Sequence, residues 1–334
     1  MSKTNILLLF GGGGPEHEIS RVSSNYIEEL VSKKDLFNVI KVELQNLTNW
    51  QDRKGNDVFL SKGSLINQNN NVTPIHYVIP CFHGTPGETG EIQSTLEANS
   101  LPYLGSSMEA SVLAFNKIAT KLFCESVGLP IVPFTFVKDL DAGSKERAIN
   151  FFREHQNVFV KPSHQGSSIG CTPVQAEEKL RAAIEEALKL SPNALIEKLI
   201  KATEVEVSVY SIGSELKVSY PGEIQVQSEF YSFEEKYEKE SKAKIYHRAQ
   251  SLSDEVVEKL KEYSRTAFQV FGLKDLARID YFVTESEEVF LSEINTFPGM
   301  TPISLFPKML VENGDSIEEF FHEKIQSQAK KVDL

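Results

Sequence analysis

The sequence predicts an α/β and α+β chain in which a unit with a parallel sheet is followed by two further units. Three features carry that prediction. The chain has 334 residues, beyond the roughly 100–200 of one globular domain, so two or three domains are expected. Near its start, the continuous apolar run Ile6 to Phe10 meets a Gly11–Gly14 turn and then a helical stretch from Ser20 to Val31. Beyond residue 200, paired short strands replace the earlier alternation of strand and helix.

The apolar run reads as a strand buried on both faces. Further strands fit Val39 to Leu44 and Ile75 to Pro80. Strands alternating with helices form parallel sheets, whose ligand loops sit at the carboxyl ends of the strands. Gly11–Gly14 and the His83–Gly90 segment both fall there. A second unit begins near Leu104. In it, Asn116 to Val127 is a helix closed by Gly128 and Pro130, Val158 to Pro162 is a strand, Ala176 to Leu190 is an amphipathic helix and Ala194 to Glu197 is a strand. In the third unit, Val205 to Ser211 and Leu216 to Ser219 read as adjacent antiparallel strands. Glu229 to Ala249 is polar and reads as a long surface loop, a type of segment that often serves as a lid. Ser253 to Phe271 is a helix capped by Ser253 or Asp254. The expected domains are therefore 1–104, 105–200 and 201–334.

Hydrophobic residues make up 40% of the chain, enough for a sizeable core. The net charge of -12 and the lack of a basic stripe argue against nucleic acid and anionic lipid as partners. No apolar run is long enough for a secretory core or a membrane span. Cys81, Cys124 and Cys171 are far apart and form no CxxC pair. A cytoplasmic location is expected.

The most informative segment is Leu276 to Asn295, read as two strands around the turn Glu285–Glu288. Symmetric pairing about that turn sets Asp280 opposite Glu293 and Arg278 opposite Asn295. All four then share one face, with Ile279, Tyr281 and Ile294 on the other. Two opposed carboxylates repel unless a cation lies between them. Oxygen donors of this kind suit magnesium, and Arg278 beside them suits a developing negative charge. The plainer alternative is a solvated polar face on which Arg278 pairs the acids. The Gly/Pro turn NTFPGMTP that follows supplies backbone donors and favours the functional reading.

A second candidate is the run Lys161 to Gly170, KPSHQGSSIG, which follows a strand. Its glycines and backbone N–H groups suit phosphate, and Lys161 supplies charge. It is not a Walker A loop, and Gly11–Gly14 does not complete GxGxxG because Glu16 stands at the last glycine position.

Taken together, LLLFGGGGPEHEIS, CFHGTPGETGEIQSTLEANSLPYLGS, FNKIATKLFCESVGLPIVPF, VFVKPSHQGSSIG, IEKLIKATEVEV, EFYSFEEKY, ARIDYF and EINTFPGMTPISLFP resemble, in order and over nearly the whole chain, the D-alanine–D-alanine ligases of the ATP-grasp superfamily. The resemblance implies a three-domain ATP-grasp fold and the joining of two D-alanines through an acyl phosphate, for peptidoglycan precursor synthesis. It implies ATP and two magnesium ions, with manganese as an alternative, and a homodimer formed through the first domain. Lys117, Lys161, Ser168 and Lys236 would meet ATP phosphates. Glu197 and the Lys198–Leu199 backbone would read adenine, and Glu204 the ribose. Asp280, Glu293 and Asn295 match the metal ligands. Arg278 and the Gly299 N–H match the oxyanion stabilisers, and Glu16 the partner of the first substrate's ammonium. His83 and Ser304 match residues at the first and second carboxylates, and Ser167 and Tyr237 a hydrogen-bonded group with Glu16. Tyr237 favours the dipeptide over D-alanyl-D-lactate, since relatives making the latter tend to have Phe or His there. The chain departs from the family pattern at Thr89 (usually Asp), Gln165 (usually Glu), Phe233 (commonly Tyr) and Phe297 (usually smaller or aliphatic).

Overall fold

The computed structural model describes residues 3–225 and 244–332. Lys236, Tyr237 and Phe233 lie outside them. The first sheet has β1 (Thr4–Gly11) between two parallel neighbours, β2 (Phe37–Asn46) and β7 (Tyr77–Cys81). Ile6 to Leu9 are fully buried because α1 (His17–Ser32) covers one face and α2 (Glu91–Ala98) the other. Beyond β2 the sheet is not parallel. It continues as an antiparallel meander of β3 (Asn49–Asp52), β4 (Asp57–Ser61), β5 (Ser64–Asn67) and β6 (Val72–Pro74). The sequence reading passed over this extension. Its strands are three to five residues long, polar and mostly half-exposed, and so lack the apolar rhythm that marks a strand.

Helices α3 (Met108–Phe115) and α4 (Lys117–Ser126) follow. The four-stranded sheet comprises β8 (Phe134–Val137), β9 (Val158–Pro162), β10 (Thr172–Val174) and β11 (Ala194–Lys198), in the order β10-β9-β11-β8. Helices α5 (Ala142–His155) and α6 (Glu177–Leu190) share its core through Ala148, Phe152, Leu180 and Ile184.

The third sheet contains β12 (Ala202–Ile212), β13 (Glu215–Val218), β14 (Gly222–Gln225), β15 (Lys244–Tyr246), β16 (Leu276–Thr284) and β17 (Val289–Asn295). Strand β15 corrects the reading of Glu229 to Ala249 as loop throughout: Lys244–Tyr246 pairs antiparallel with β14. Helix α7 (Asp254–Val270) starts at Ser253, whose side chain accepts from the Val256 N–H. It packs on this sheet, and so do α3 and α4 through Ala110, Ala114 and Cys124. Helices α8 (Leu305–Glu312) and α9 (Ile317–Val332) complete the described chain. Phe306, Phe320 and Phe321 share one core with Ile6, Leu8 and Ile27, which fixes the first sheet against the third. Among the described residues, no helix is long and apolar enough to cross a membrane.

Candidate active site

The β16–β17 hairpin pairs Asp280 with Glu293 and Arg278 with Asn295, as symmetric pairing predicts. Its pairing is not uniform, however. Near the turn Tyr281 faces Leu291, one residue out of step, and a bulge next to Asp280 absorbs the difference. Extending the turn-proximal register without that bulge would set Asp280 opposite Ser292. The bulge therefore brings the two carboxylates together, as such irregularities often do near functional sites. Ile279, Tyr281 and Ile294 are buried on the opposite face.

Arg278 grips Asp280 with two hydrogen bonds, Nε to Oδ1 at 2.8 Å and a terminal nitrogen to Oδ2 at 2.7 Å. It also lies 3.0 Å from Glu206 on β12. The Asn295 amide donates to Asp280 at 2.9 Å. Thus Arg278 does pair an acid, as the plainer alternative expected. The setting differs from a solvated face, because Arg278 and Asp280 are only 18% and 15% exposed. Glu206, Asp280 and Glu293 line a cavity of about 1000 Å³. The donor set fits a hard divalent ion: two opposed carboxylates and one amide oxygen, too few to enclose it, leave positions for waters and phosphates. Among the described residues, no cluster of three or more His, Cys, Asp or Glu side chains could hold a metal ion, at the hairpin or elsewhere, so a metal here would rest on two carboxylates and the Asn295 amide.

The phosphate-loop candidate forms another wall. Ser167 and Ser168 both adopt positive φ (52° and 58°), a strained conformation for non-glycine residues that is typical of functional sites. Lys117 reaches the Gln165 carbonyl at 2.8 Å and Glu293 at 3.4 Å. The departure at Gln165 leaves the first contact intact, since any residue supplies a carbonyl. Lys161 pairs with Glu197 at 2.5 Å. Ser168, Glu197 and Glu204 line the same cavity. The Lys198 and Leu199 N–H groups donate to the Pro133 and Asn157 carbonyls, so reading a base with those donors requires one of these bonds to open.

Glu16 sits where the first and second sheets' loops meet. Ser167 Oγ donates to its Oε1 at 2.6 Å. A Cβ on Gly84 would lie 2.6 Å from its Oε2 and push that carboxylate aside, and the φ of 64° at Gly84 itself favours glycine. His83 is buried, with Ser23 Oγ 2.9 Å away. Burial lowers its pKa to about 4, although the Phe297 backbone opposes the shift. Glu88, which sequence reasoning missed, is buried beside it and accepts from the Gly84 N–H at 2.8 Å. Burial pushes its carboxyl up to about 8, with the Glu16 charge adding to the effect. Phe297 thus ties the NTFPGMTP turn to this loop through its backbone and also sets its ring near the His83 imidazole. Thr89 donates to Glu91. Ser304 caps α8 in position only: its hydroxyl bonds the Thr301 N–H and hydroxyl, and it lies against Gly299.

The low His83 pKa has a measurable consequence. A neutral-in-the-fold histidine contributes stability that is complete above the unfolded value of 6.5 and is lost as pH falls toward 4. Between pH 7 and pH 5 the loss from this group is roughly 2 kcal/mol. Urea denaturation of the unsubstituted protein and His83→Gln at both pH values checks it. The variant is expected to lose less stability on acidification, and an equal loss contradicts the assignment.

Comparison with known proteins covers nearly the whole chain. Residues 5–106 match the family model described as D-ala D-ala ligase N-terminus, and residues 123–326 match D-ala D-ala ligase C-terminus. A D-alanine--D-alanine ligase of Tolumonas auensis is 44% identical over 99% of this chain and 100% of the relative. The crystal structure of D-alanyl-alanine synthetase A from Vibrio cholerae superposes with a TM-score of 0.93 at 41% identity, covering 98% of this chain and 99% of that one. The VanG D-Ala:D-Ser ligase of Enterococcus faecalis superposes at 0.86 with 26% identity, over 98% and 100% of the two chains.

Proposed function

This chain belongs to the D-alanine–D-alanine ligase family, and we propose that it joins two D-alanine molecules into D-alanyl-D-alanine with ATP, for peptidoglycan precursor synthesis. The observation that carries the reading is the cavity on whose wall the acid hairpin, the strained phosphate loop and Glu204 come together. In the first step a D-alanine carboxylate oxygen attacks the γ-phosphorus, the bond to ADP breaks, and an acyl phosphate forms. In the second, the amine of another D-alanine attacks the acyl carbon and loses a proton, and phosphate leaves with its bonding pair.

Such chemistry rests on positioning and charge neutralisation more than on protein nucleophiles. Asp280, Glu293 and Asn295 hold magnesium in this reading, and the metal neutralises charge on the phosphates. Lys117, Lys161, Ser168 and Lys236 hold those phosphates, while Glu197, Lys198 and Leu199 face adenine and Glu204 the ribose. Glu16, kept in place by Ser167, receives the first substrate's ammonium, and Tyr237 joins that group. His83, neutral at physiological pH, and Ser304 orient the two carboxylates. Arg278 and the Gly299 N–H stabilise the oxyanion as the amine attacks. A cytoplasmic homodimer divided into domains at 1–104, 105–200 and 201–334 completes the proposal, supported by the family membership.

The acceptor is tested by product analysis with D-alanine as the first substrate and D-alanine, D-serine, D-lactate or an L-amino acid as the second. D-Alanyl-D-alanine is expected to dominate. A mixed product formed at equal or higher kcat/KM moves the assignment to that acceptor and leaves the ATP chemistry in place.

A further inference from the structure

Behind the cavity wall lies a buried trio of charges drawn from three elements: Lys121 on α4, Lys161 on β9 and Glu197 on β11. The two ammonium groups take different oxygens of the same carboxylate. Lys121 Nζ is 2.5 Å from Oε1 and Lys161 Nζ is 2.5 Å from Oε2. The Lys121 and Glu197 side chains are 2% and 5% exposed, and that of Lys161 12%. Lys161 and Glu197 line the cavity, whereas Lys121 is not among the residues that do. The carboxylate therefore faces the cavity lysine on one side and the interior lysine on the other.

We propose that Lys121 is a positioning residue for nucleotide binding: it keeps Glu197 charge-compensated, so that Lys161 is free to leave Glu197 for an incoming phosphate. The inference rests on the reading of the cavity as an ATP site. A buried carboxylate stripped of its last cationic partner is strongly destabilised, whereas one that keeps a partner is not. With Lys121 present, departure of Lys161 leaves a neutral pair. Without Lys121, it leaves a bare buried anion, and Lys161 stays where it is. Burial pushes the Glu197 carboxyl up, yet the two lysine charges outweigh it and hold the pKa at about 2, so the carboxylate to be compensated is ionised at neutral pH.

The test is calorimetric titration of the full chain with magnesium-ATP and, separately, with adenosine, which has no phosphate for Lys161 to meet. In Lys121→Met, ATP affinity is expected to fall at least about 10-fold, or about 1.4 kcal/mol, while adenosine affinity stays within about 2-fold of the unsubstituted protein. Lys121→Gln, which keeps a hydrogen-bond donor without the charge, is expected to show the same selective loss. Adding Glu197→Gln to Lys121→Met removes the charge that traps Lys161, and the ratio of ATP to adenosine affinity is expected to recover. Equal weakening of both ligands, unchanged ATP affinity, or no recovery in the double variant each overturns the proposal. Turnover with D-alanine is measured on the unsubstituted protein alone. Its failure there, with ATP still bound, sinks the ligase reading without touching this one.

Discussion

Asp280→Ala is expected to reduce D-alanine-dependent phosphate release by on the order of 10³-fold, equivalent to several kcal/mol of lost charge stabilisation. The size follows from the number of interactions that meet at this carboxylate. It faces Glu293 across the hairpin, accepts two hydrogen bonds from Arg278 and accepts one from Asn295. Removing it takes away a proposed metal ligand and frees the guanidinium that is proposed to stabilise the oxyanion. Asp280→Asn separates the two effects, because the amide keeps an acceptor and the side-chain volume but loses the charge. A magnesium titration of turnover should show a higher half-saturating concentration in both variants. Unchanged magnesium dependence, with only kcat reduced, would place the metal elsewhere.

Arg278→Met is expected to lower kcat by about 10²–10³-fold with a much smaller change in KM for ATP, the signature of an interaction made mainly in the transition state. Arg278 is nearly buried between Glu206 and Asp280, whose charges, with burial opposing, raise its pKa well above the usual arginine value. Its removal takes a cation away from these carboxylates, so some loss of stability accompanies the kinetic effect. Thermal denaturation measured alongside the kinetics separates the two. Arg278→Lys is not a conservative control, since an ammonium cannot reproduce the planar two-point grip on Asp280. A variant that melts lower but turns over normally contradicts the oxyanion role.

The sequence made the hairpin legible because strand alternation is strict, and the acids stood at positions of one parity on each strand. The bulge beside Asp280 was not legible, because it depends on how the turn closes, with the Thr284 N–H on the Glu288 carbonyl. Symmetric pairing gave the right partners at the site but a one-residue error nearer the turn. In the parallel core β2-β1-β7, strands β1 and β7 were readable from apolar runs buried on both faces, and β2 from the apolar residues spaced through Val39 to Leu44. The β3–β6 meander was not, since its strands bury single residues such as Trp50, Val58 and Leu65 among polar neighbours.

Of the buried charged residues that were missed, Glu206 and Lys121 had left a signal and Glu88 had not. In β12 Glu206 shares the parity of Glu204 and alternates with the core residues Val205 and Val207, so both glutamates face the cavity. In α4 Lys121 falls three residues after Ile118 and three before Cys124, on the buried stripe of the helix. A lysine on such a stripe calls for a buried anion, and Glu197 is that anion. Glu88 had left none, because its burial depends on the NTFPGMTP turn arriving from the far end of the chain.

The central claim is that the γ-phosphate passes to a D-alanine carboxylate. The most direct measurement uses D-alanine carrying ¹⁸O in its carboxylate, with mass analysis of the phosphate released during turnover. Transfer through an acyl phosphate moves one substrate oxygen into each phosphate, so every phosphate formed should carry a single ¹⁸O. Phosphate free of the label would mean that water, and not the carboxylate, receives the phosphoryl group, and the ligase account would fail.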